Sequence, residues 1–390
     1  MKFTEYVEVN PKTNLKKGEY APFVEMANVS ITYREPEKIE NKKYTSGPKF
    51  QNGDSVVARI EPCLQNGKKF FWKSDKIGFG STEYIVFRAK EGKMDSKYLF
   101  YLLKTDYIKK SMVSSMVGAT GRQRVNNDIF GQIEIVVPNI EKQKKIGRTL
   151  FLYDDLIENN RKQIKLLEEA AQRLYKEWFV DLRFPGHENT KIVDGVPEGW
   201  NWCKLEDAIQ LDPKVTLTKE RMKQFIPMSA LSTASMVLDE SQFTETTSNS
   251  GSKFQNGDTL LARITPCLEN GKTAYVSGLK SDEGAVGSTE YIVMRAKTIN
   301  SYMVYLLART DDFRQSAINS MSGSDGRQRV KSDKLKMLDY LHPTSELVEK
   351  FENVEEPIFE KIYRLSEQMQ QAKQARDLLL PKLMRGEVEV

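Results

Sequence analysis

The run FQNGDSVVARIEPCLQNGK at residues 50–68 returns as FQNGDTLLARITPCLENGK at residues 254–272. Working outward, GSTEYIVFRAK (80–90) returns as GSTEYIVMRAK (287–297), and GRQRV stands at 121–125 and again at 326–330. Tyr98 to Leu103 returns as Tyr302 to Leu307, Phe23-Val24-Glu25-Met26 as Phe225-Ile226-Pro227-Met228, and Val9-Asn10-Pro11-Lys12 as Leu211-Asp212-Pro213-Lys214. The period is about 205 residues, far beyond the 20–50 residues of a solenoid unit, so a whole domain has been duplicated. A chain of 390 residues has room for two such domains with connecting elements.

Each copy reads as mixed α/β. Val56 to Ile60 and Glu83 to Arg88 are rich in β-branched and aromatic residues and predict strands, with turn signals at Asn52-Gly53-Asp54 and Asn66-Gly67. Lys97 to Lys110 carries Tyr98, Tyr101, Leu102 and Ile108 at helical spacing. Ile133 to Pro138 alternates as a strand does.

A different kind of segment follows each copy. From about Asn139, a plausible N-cap, to Asp181, the residues Leu156, Asn160, Ile164, Leu167, Ala171, Leu174 and Trp178 form a near-heptad seam. From about Ser345 to Arg385, with a break expected near Pro357 and an end at Gly386, the seam is Ile358, Ile362, Leu365, Met369, Ala372, Arg376 and Leu379. A single apolar stripe needs a partner, and each helix is the obvious partner of the other. About 27 residues at roughly 1.5 Å each span about 40 Å, longer than a helix needs to cap its own small domain. Asn160 suits a register-fixing role, and Arg376 either does likewise or snorkels out of the seam.

The class expected is therefore α+β: two homologous mixed α/β domains (1–138 and 186–344) separated by two long antiparallel helices (139–185 and 345–390), a coiled-coil spacer in a pseudo-twofold arrangement.

Composition narrows the function. Net charge is +5, but residues 1–145 hold 26 Lys+Arg against 17 Asp+Glu, so a polyanion would be neutralised mainly by the first domain. Cys63, Cys203 and Cys267 form no metal spacing, and the two histidines, His187 and His342, lie far apart. No stretch of about eighteen apolar residues predicts a membrane span, and the first residues lack an apolar signal core, so a cytoplasmic protein is expected. Gly271-Lys272-Thr273 mimics the end of a phosphate-binding loop, but Pro266 stands where its first glycine belongs, as Pro62 does in the first copy. No methyltransferase cofactor loop is present. The chain reads as a non-catalytic protein with no cofactor of its own.

Residues identical in both copies cannot discriminate two different half-sites, so they should build the fold or hold phosphate. Arg122, Gln123 and Arg124, with Arg327, Gln328 and Arg329, follow glycines on an exposed loop. They suit phosphate clamping, or else a structural turn whose arginines pair with local carboxylates. Lys68 and Lys272 follow Asn-Gly turns and are further phosphate candidates. Arg59 and Arg263, mid-strand, are balanced between phosphate and a structural ion pair. Base readout is assigned to the divergent stretches 28–49, which holds Tyr33, Arg34, Lys42, Lys43 and Tyr44, and 230–253, rich in Ser and Thr; the alternative is that these are variable loops.

The layout and several motifs resemble the specificity subunits of Type I restriction-modification systems. The carrying residues are the ARI-PCL-NGK runs at 58–68 and 262–272, Asp194 to Trp200 (DGVPEGW), Gln143-Lys144-Lys145-Ile146, Asn159 to Phe179, and Leu379 to Val388. The first domain departs from the pattern by lacking the Val-Pro-Glu-Gly-Trp opening. The resemblance implies two target-recognition domains, each reading one half of an asymmetric bipartite site on double-stranded DNA. It also implies that the helices set the spacer and dock methyltransferase subunits; the residues assigned to spacer or docking are Leu156, Asn160, Ile164, Leu167, Leu174, Trp178, Ile362, Leu365, Met369 and Leu379, with Trp178 and Phe179 either in the core or on a second stripe for a partner helix. Restriction-translocase subunits would join later, and S-adenosylmethionine would bind only the methyltransferase partner.

Overall fold

In a computed structural model, residues 1–324, 326 and 328–389 are described. The chain divides into two units, Met1–Asn160 with Gln368–Val390, and Arg161–Glu367. Each long helix thus gives one part to each unit.

In the first unit, Val7–Val9, Tyr84–Ala89, Ser55–Ala58 and Lys69–Phe71 form an antiparallel sheet in that order. A second sheet runs Glu40–Lys43, Tyr20–Val24, Gly78–Gly80, Lys49–Phe50, with Tyr20–Val24 and Gly78–Gly80 parallel. The second unit repeats both orders. Ile209–Leu211, Tyr291–Ala296, Thr259–Ala262 and Thr273–Tyr275 make one sheet; Thr244–Thr246, Lys223–Ile226, Ala285–Gly287 and Ser252–Phe254 make the other. Even register is kept: Val7 faces Ala89 as Ile209 faces Ala296.

Part of the repeated sequence is explained by a buried ion pair. Asp54 accepts from the Gln51 amide (2.8 Å) and from Arg88 (2.7 Å); Asp258 accepts from the Gln255 amide (2.8 Å) and from Arg295 (2.6 Å). Both carboxylates are buried, so losing either arginine would strand a charge. Gly53, in the turn between Gln51 and Asp54, sits at φ +90°, a region that favours glycine.

The core of the first unit joins Val57, Ile85 and Phe87 of the sheet to Tyr98–Leu103, to Ile146, Leu150 and Phe151 of the first long helix, and to Leu383 of the second. Phe71, Phe100 and Phe151 meet edge to face at 4.9–6.2 Å, a geometry aromatic quadrupoles favour.

The first long helix is Ile140–Tyr175, capped by Asn139, whose Oδ1 accepts from the Lys142 amide at 2.9 Å, and it is extended by a π-helical turn at Lys176–Val180. The second is Ser345–Arg385, closed by Gly386 at φ +74° and a bond from the Glu387 amide to the Lys382 carbonyl. The helix is not broken at Pro357: that residue and Asn353, whose carbonyl it leaves without a donor, both face solvent, where water meets the lost bond. Within the first unit the two helices run antiparallel, Asp154 meeting Arg376 and Asn160 meeting Gln368 (3.4 Å).

Three further expectations change. Lys97–Lys110 is two helices, Ser96–Leu102 and Asp106–Ser114, because Asp95 and Thr105 each open a helix of their own. Ile133–Pro138 is not a strand; it makes one bridge, Lys2 to Glu134, whereas Asp339–His342 in the second unit has four paired residues in Asn201–Lys204. Leu156 leaves the seam at 42% exposure, and Ile157 takes its place. Two successive steps of four overshoot the 3.6-residue turn; stepping back in heptads from Trp178 through Ala171 and Ile164 reaches Ile157. Ile164, Ala171, Trp178, Ile362, Leu365, Met369 and Ala372 are buried as expected, with Leu167, Leu174 and Leu379 half-buried beside them. Arg376 stays inside the seam at 5% exposure, paired with Asp154 and Asp377, and does not snorkel.

Candidate nucleic-acid interface

The two GRQRV segments are strapped to the ARI strands in the same way. Ile60 bridges Arg124 and Ile264 bridges Arg329. The Glu61 amide donates to the Gln123 carbonyl (3.0 Å) as Thr265 does to Gln328 (3.1 Å). Arg59 donates to the Val125 carbonyl (3.1 Å) and Arg263 to that of Val330 (2.9 Å). These two arginines therefore hold the loop from behind, and their partners are carbonyls.

Arg124 forks onto Glu83 (2.6–3.0 Å) and Arg329 onto Glu290 (2.7–3.0 Å). Both pairs are half-exposed, and such pairs contribute about 1 kcal/mol at most, so they orient the loop more than they hold the fold. The bond to Arg329 keeps the Glu290 carboxyl below its ordinary range. Glu83 and Glu290 belong to the repeated GSTEY motif; the repetition was the only sequence signal that they matter.

Arg122 is different. It is exposed beside Gly121, and its guanidinium has no protein partner among the described residues; Gln123 is half-buried and reaches the Gly118 carbonyl at 3.4 Å. Gln328 is half-buried, and Arg327 lies outside the described residues. Lys68 and Lys272 each reach back to a carbonyl, that of Met26 (2.8 Å) and Met228 (2.9 Å). Both lysines brace the loop after the second-sheet strand in the conformation described.

The divergent stretch 28–49 splits in two. Its first part docks on the helices. Arg34, 1% exposed, pairs with Asp155 (2.7 Å) over the Phe151 ring, the Glu35 amide donates to Glu158 (3.0 Å), and Tyr33 lies under Lys373 (5.0 Å). A buried guanidinium so engaged is an anchor, which corrects the base-readout expectation for Arg34. In the second unit the equivalent loop docks through Glu168, which accepts from Ser235 Oγ (2.7 Å) and the Met236 amide (2.9 Å). Burial outweighs these bonds and pushes its carboxyl up to about 7.

The second part forms both edges of the second, outer sheet, Glu40–Lys43 on one side and Lys49–Phe50 on the other. Lys42, paired with Glu40 (2.7 Å), lies over the Phe23 ring (4.4 Å). Lys43 lies over Tyr20 (5.5 Å) and Lys49 over Tyr44 (4.8 Å). Tyr44 packs on Phe79 and donates to the Gly47 carbonyl (3.2 Å). Lysines standing on partly open rings make a cationic, stacking surface. At the matching edge of the second unit stand Thr244, Glu245 and Thr246. Among the described residues, no cluster of His, Cys, Asp or Glu could hold a metal ion, and no helix is long and apolar enough to cross a membrane.

Residues 7–169 match the Type I restriction modification DNA specificity domain. The Type I restriction enzyme MjaIX specificity subunit of Methanocaldococcus jannaschii is 27% identical over 305 residues, 76% of this chain and 69% of that one. The HindI specificity subunit of Haemophilus influenzae is 22% identical over 406 aligned positions, 87% of each chain. The crystal structure of the Type I S subunit from M. genitalium shares the fold, with a TM-score of 0.59 at 14% identity over 98% of this chain and 95% of that one.

Proposed function

We infer that this chain, which belongs to the specificity subunits of Type I restriction-modification systems, is the non-catalytic part that directs such a complex to an asymmetric bipartite DNA site. Residues 1–138 and 186–344 each read one half-site. The helical regions 139–185 and 345–390 set the spacer and dock methyltransferase subunits, which bind S-adenosylmethionine; restriction-translocase subunits complete the assembly.

The observation that carries this reading is one fold built twice with different surface chemistry. Sheet order, register, buried ion pairs and the strapped GRQRV loops are the same in both units, while the outer sheet edges differ in charge and hydrogen-bonding character. Two unlike readers on one scaffold suit a target whose halves are unlike. Arg122 supplies a phosphate contact, and Lys42, Lys43 and Tyr44 on the outer-sheet edge of the first unit face the bases. Leu152, at 60% exposure, and Leu156 stand one helical turn apart with no cover, and such a stripe suits a partner helix.

Mapping methylated bases in cells that carry the full system tests the reading. Two short half-sites separated by an unread spacer are expected. A single continuous site would refute the two-reader scheme, and purification without a methyltransferase subunit would refute the docking role.

A further inference from the structure

The two halves of the repeated run 50–68 and 254–272 differ at five positions. Three of these, Ser55, Val56 and Val57 against Thr259, Leu260 and Leu261, are buried and keep their character. The other two reach solvent and change their hydrogen-bonding pattern: Glu61 against Thr265, and Gln65 against Glu269.

They stand on a backbone that is the same in both units. In the first, the amides of Leu64, Asn66 and Lys68 donate to the carbonyls of Ile60, Pro62 and Cys63 at 2.9–3.0 Å. In the second, Leu268, Asn270 and Lys272 donate to Ile264, Pro266 and Cys267 at 3.0–3.1 Å. The braces from Lys68 and Lys272 hold the far end of each turn. The first and fifth positions of this turn lie beside one another. Gln65 Nε2 donates to Glu61 Oε1 at 3.0 Å, and the other Glu61 oxygen accepts from the Gly121 amide at 3.1 Å, next to Arg122.

A fixed turn next to an arginine with no partner among the described residues, carrying the only solvent-facing differences within an otherwise repeated run, has the properties of a base reader. Its backbone is preorganised, and a phosphate contact sets its distance from the groove. An amide offers both donor and acceptor, which fits adenine, whereas a carboxylate only accepts, which fits the cytosine amino group. We infer that Gln65 and Glu61 in the first unit, and Glu269 and Thr265 in the second, determine the base preferred at one or two positions of their half-sites. This rests on the DNA-reading function above but places specificity at a turn that is nearly the same in both copies, outside the divergent stretches.

The test is selection from a randomised duplex library by the full chain with its methyltransferase subunits, comparing wild type with Gln65→Glu and Glu269→Gln. Both side chains are exposed and the backbone bonds of the turn use only main-chain atoms, so the turn itself is kept, while Gln65→Glu exchanges the bond to Glu61 for a second carboxylate beside it. Gln65→Glu is expected to change the preference at one position of one half-site by about tenfold, and Glu269→Gln at one position of the other, with the salt dependence unchanged. Unchanged preferences in variants that still select DNA would overturn this inference and leave the DNA-reading function standing. Uniform weakening across all sequences would overturn it equally, since that marks a phosphate or scaffold role. A wild-type complex that selects no sequence would overturn both.

Discussion

Replacing Glu355 with leucine should stabilise the second unit, and more so at high pH. Glu355 lies in the second long helix at 0% exposure, and neither of its carboxylate oxygens has a hydrogen-bond partner among the described residues. Burial raises its carboxyl from the ordinary value of 4.5 to about 7. The folded state therefore holds the proton more tightly than the unfolded one. The stability linked to this group is fully present below the unfolded value and is lost as pH rises through about 7. The two values differ by about 2.5 pH units, which at about 1.4 kcal/mol per unit corresponds to about 3 kcal/mol of destabilisation at pH 8. Leu150 occupies the corresponding helix position in the first unit and packs in its core, so leucine is the natural replacement. Urea unfolding of the full chain at pH 5 and pH 8, followed by tryptophan fluorescence, reads the effect. Trp178, Trp200 and Trp202 all lie in the second unit, which therefore dominates the signal. Because pH 5 already lies above the unfolded value, Glu355→Leu should raise the stability at pH 8 by about 2.5 kcal/mol more than at pH 5. An equal gain at both pH values, or a loss at pH 8, would refute the argument that an unpartnered buried carboxylate strains this helix.

Three other outcomes are expected. Arg376→Ala strands the buried Asp154, which Lys104 and Arg376 otherwise hold below its ordinary pKa against the effect of burial. It should lower the stability of the first unit by about 3–5 kcal/mol in urea melts, and removing both charges together should cost less. Arg122→Ala should weaken DNA binding alike for all sequences and reduce the salt slope by about one, with base preferences unchanged in a filter or fluorescence titration. Leu152→Glu with Leu156→Glu should leave the circular dichroism spectrum intact while abolishing co-purification of methyltransferase subunits; retained co-purification would move docking elsewhere.

The repeat, the period and the two long helices were legible because they are written in neighbouring residues. A motif that returns after about 205 positions demands two like domains, and Asn139 and Gly386 mark helix ends by their own chemistry. The seam was legible in its middle and slipped only at Leu156, where the pattern departed from the helical period. Of the candidate site, the GRQRV repeats and the cationic stretch 28–49 were legible as residue types, but the fate of each cation was not. Arg34, Arg124 and Arg59 look alike in sequence. One is buried against Asp155, one forks onto Glu83, and one holds the Val125 carbonyl. Their partners lie 121, 41 and 66 residues away. Periodicity and caps are local properties that a chain carries within a few turns. Whether a charge faces a carboxylate or open water depends on what folding brings opposite it, and only the tertiary structure decided that.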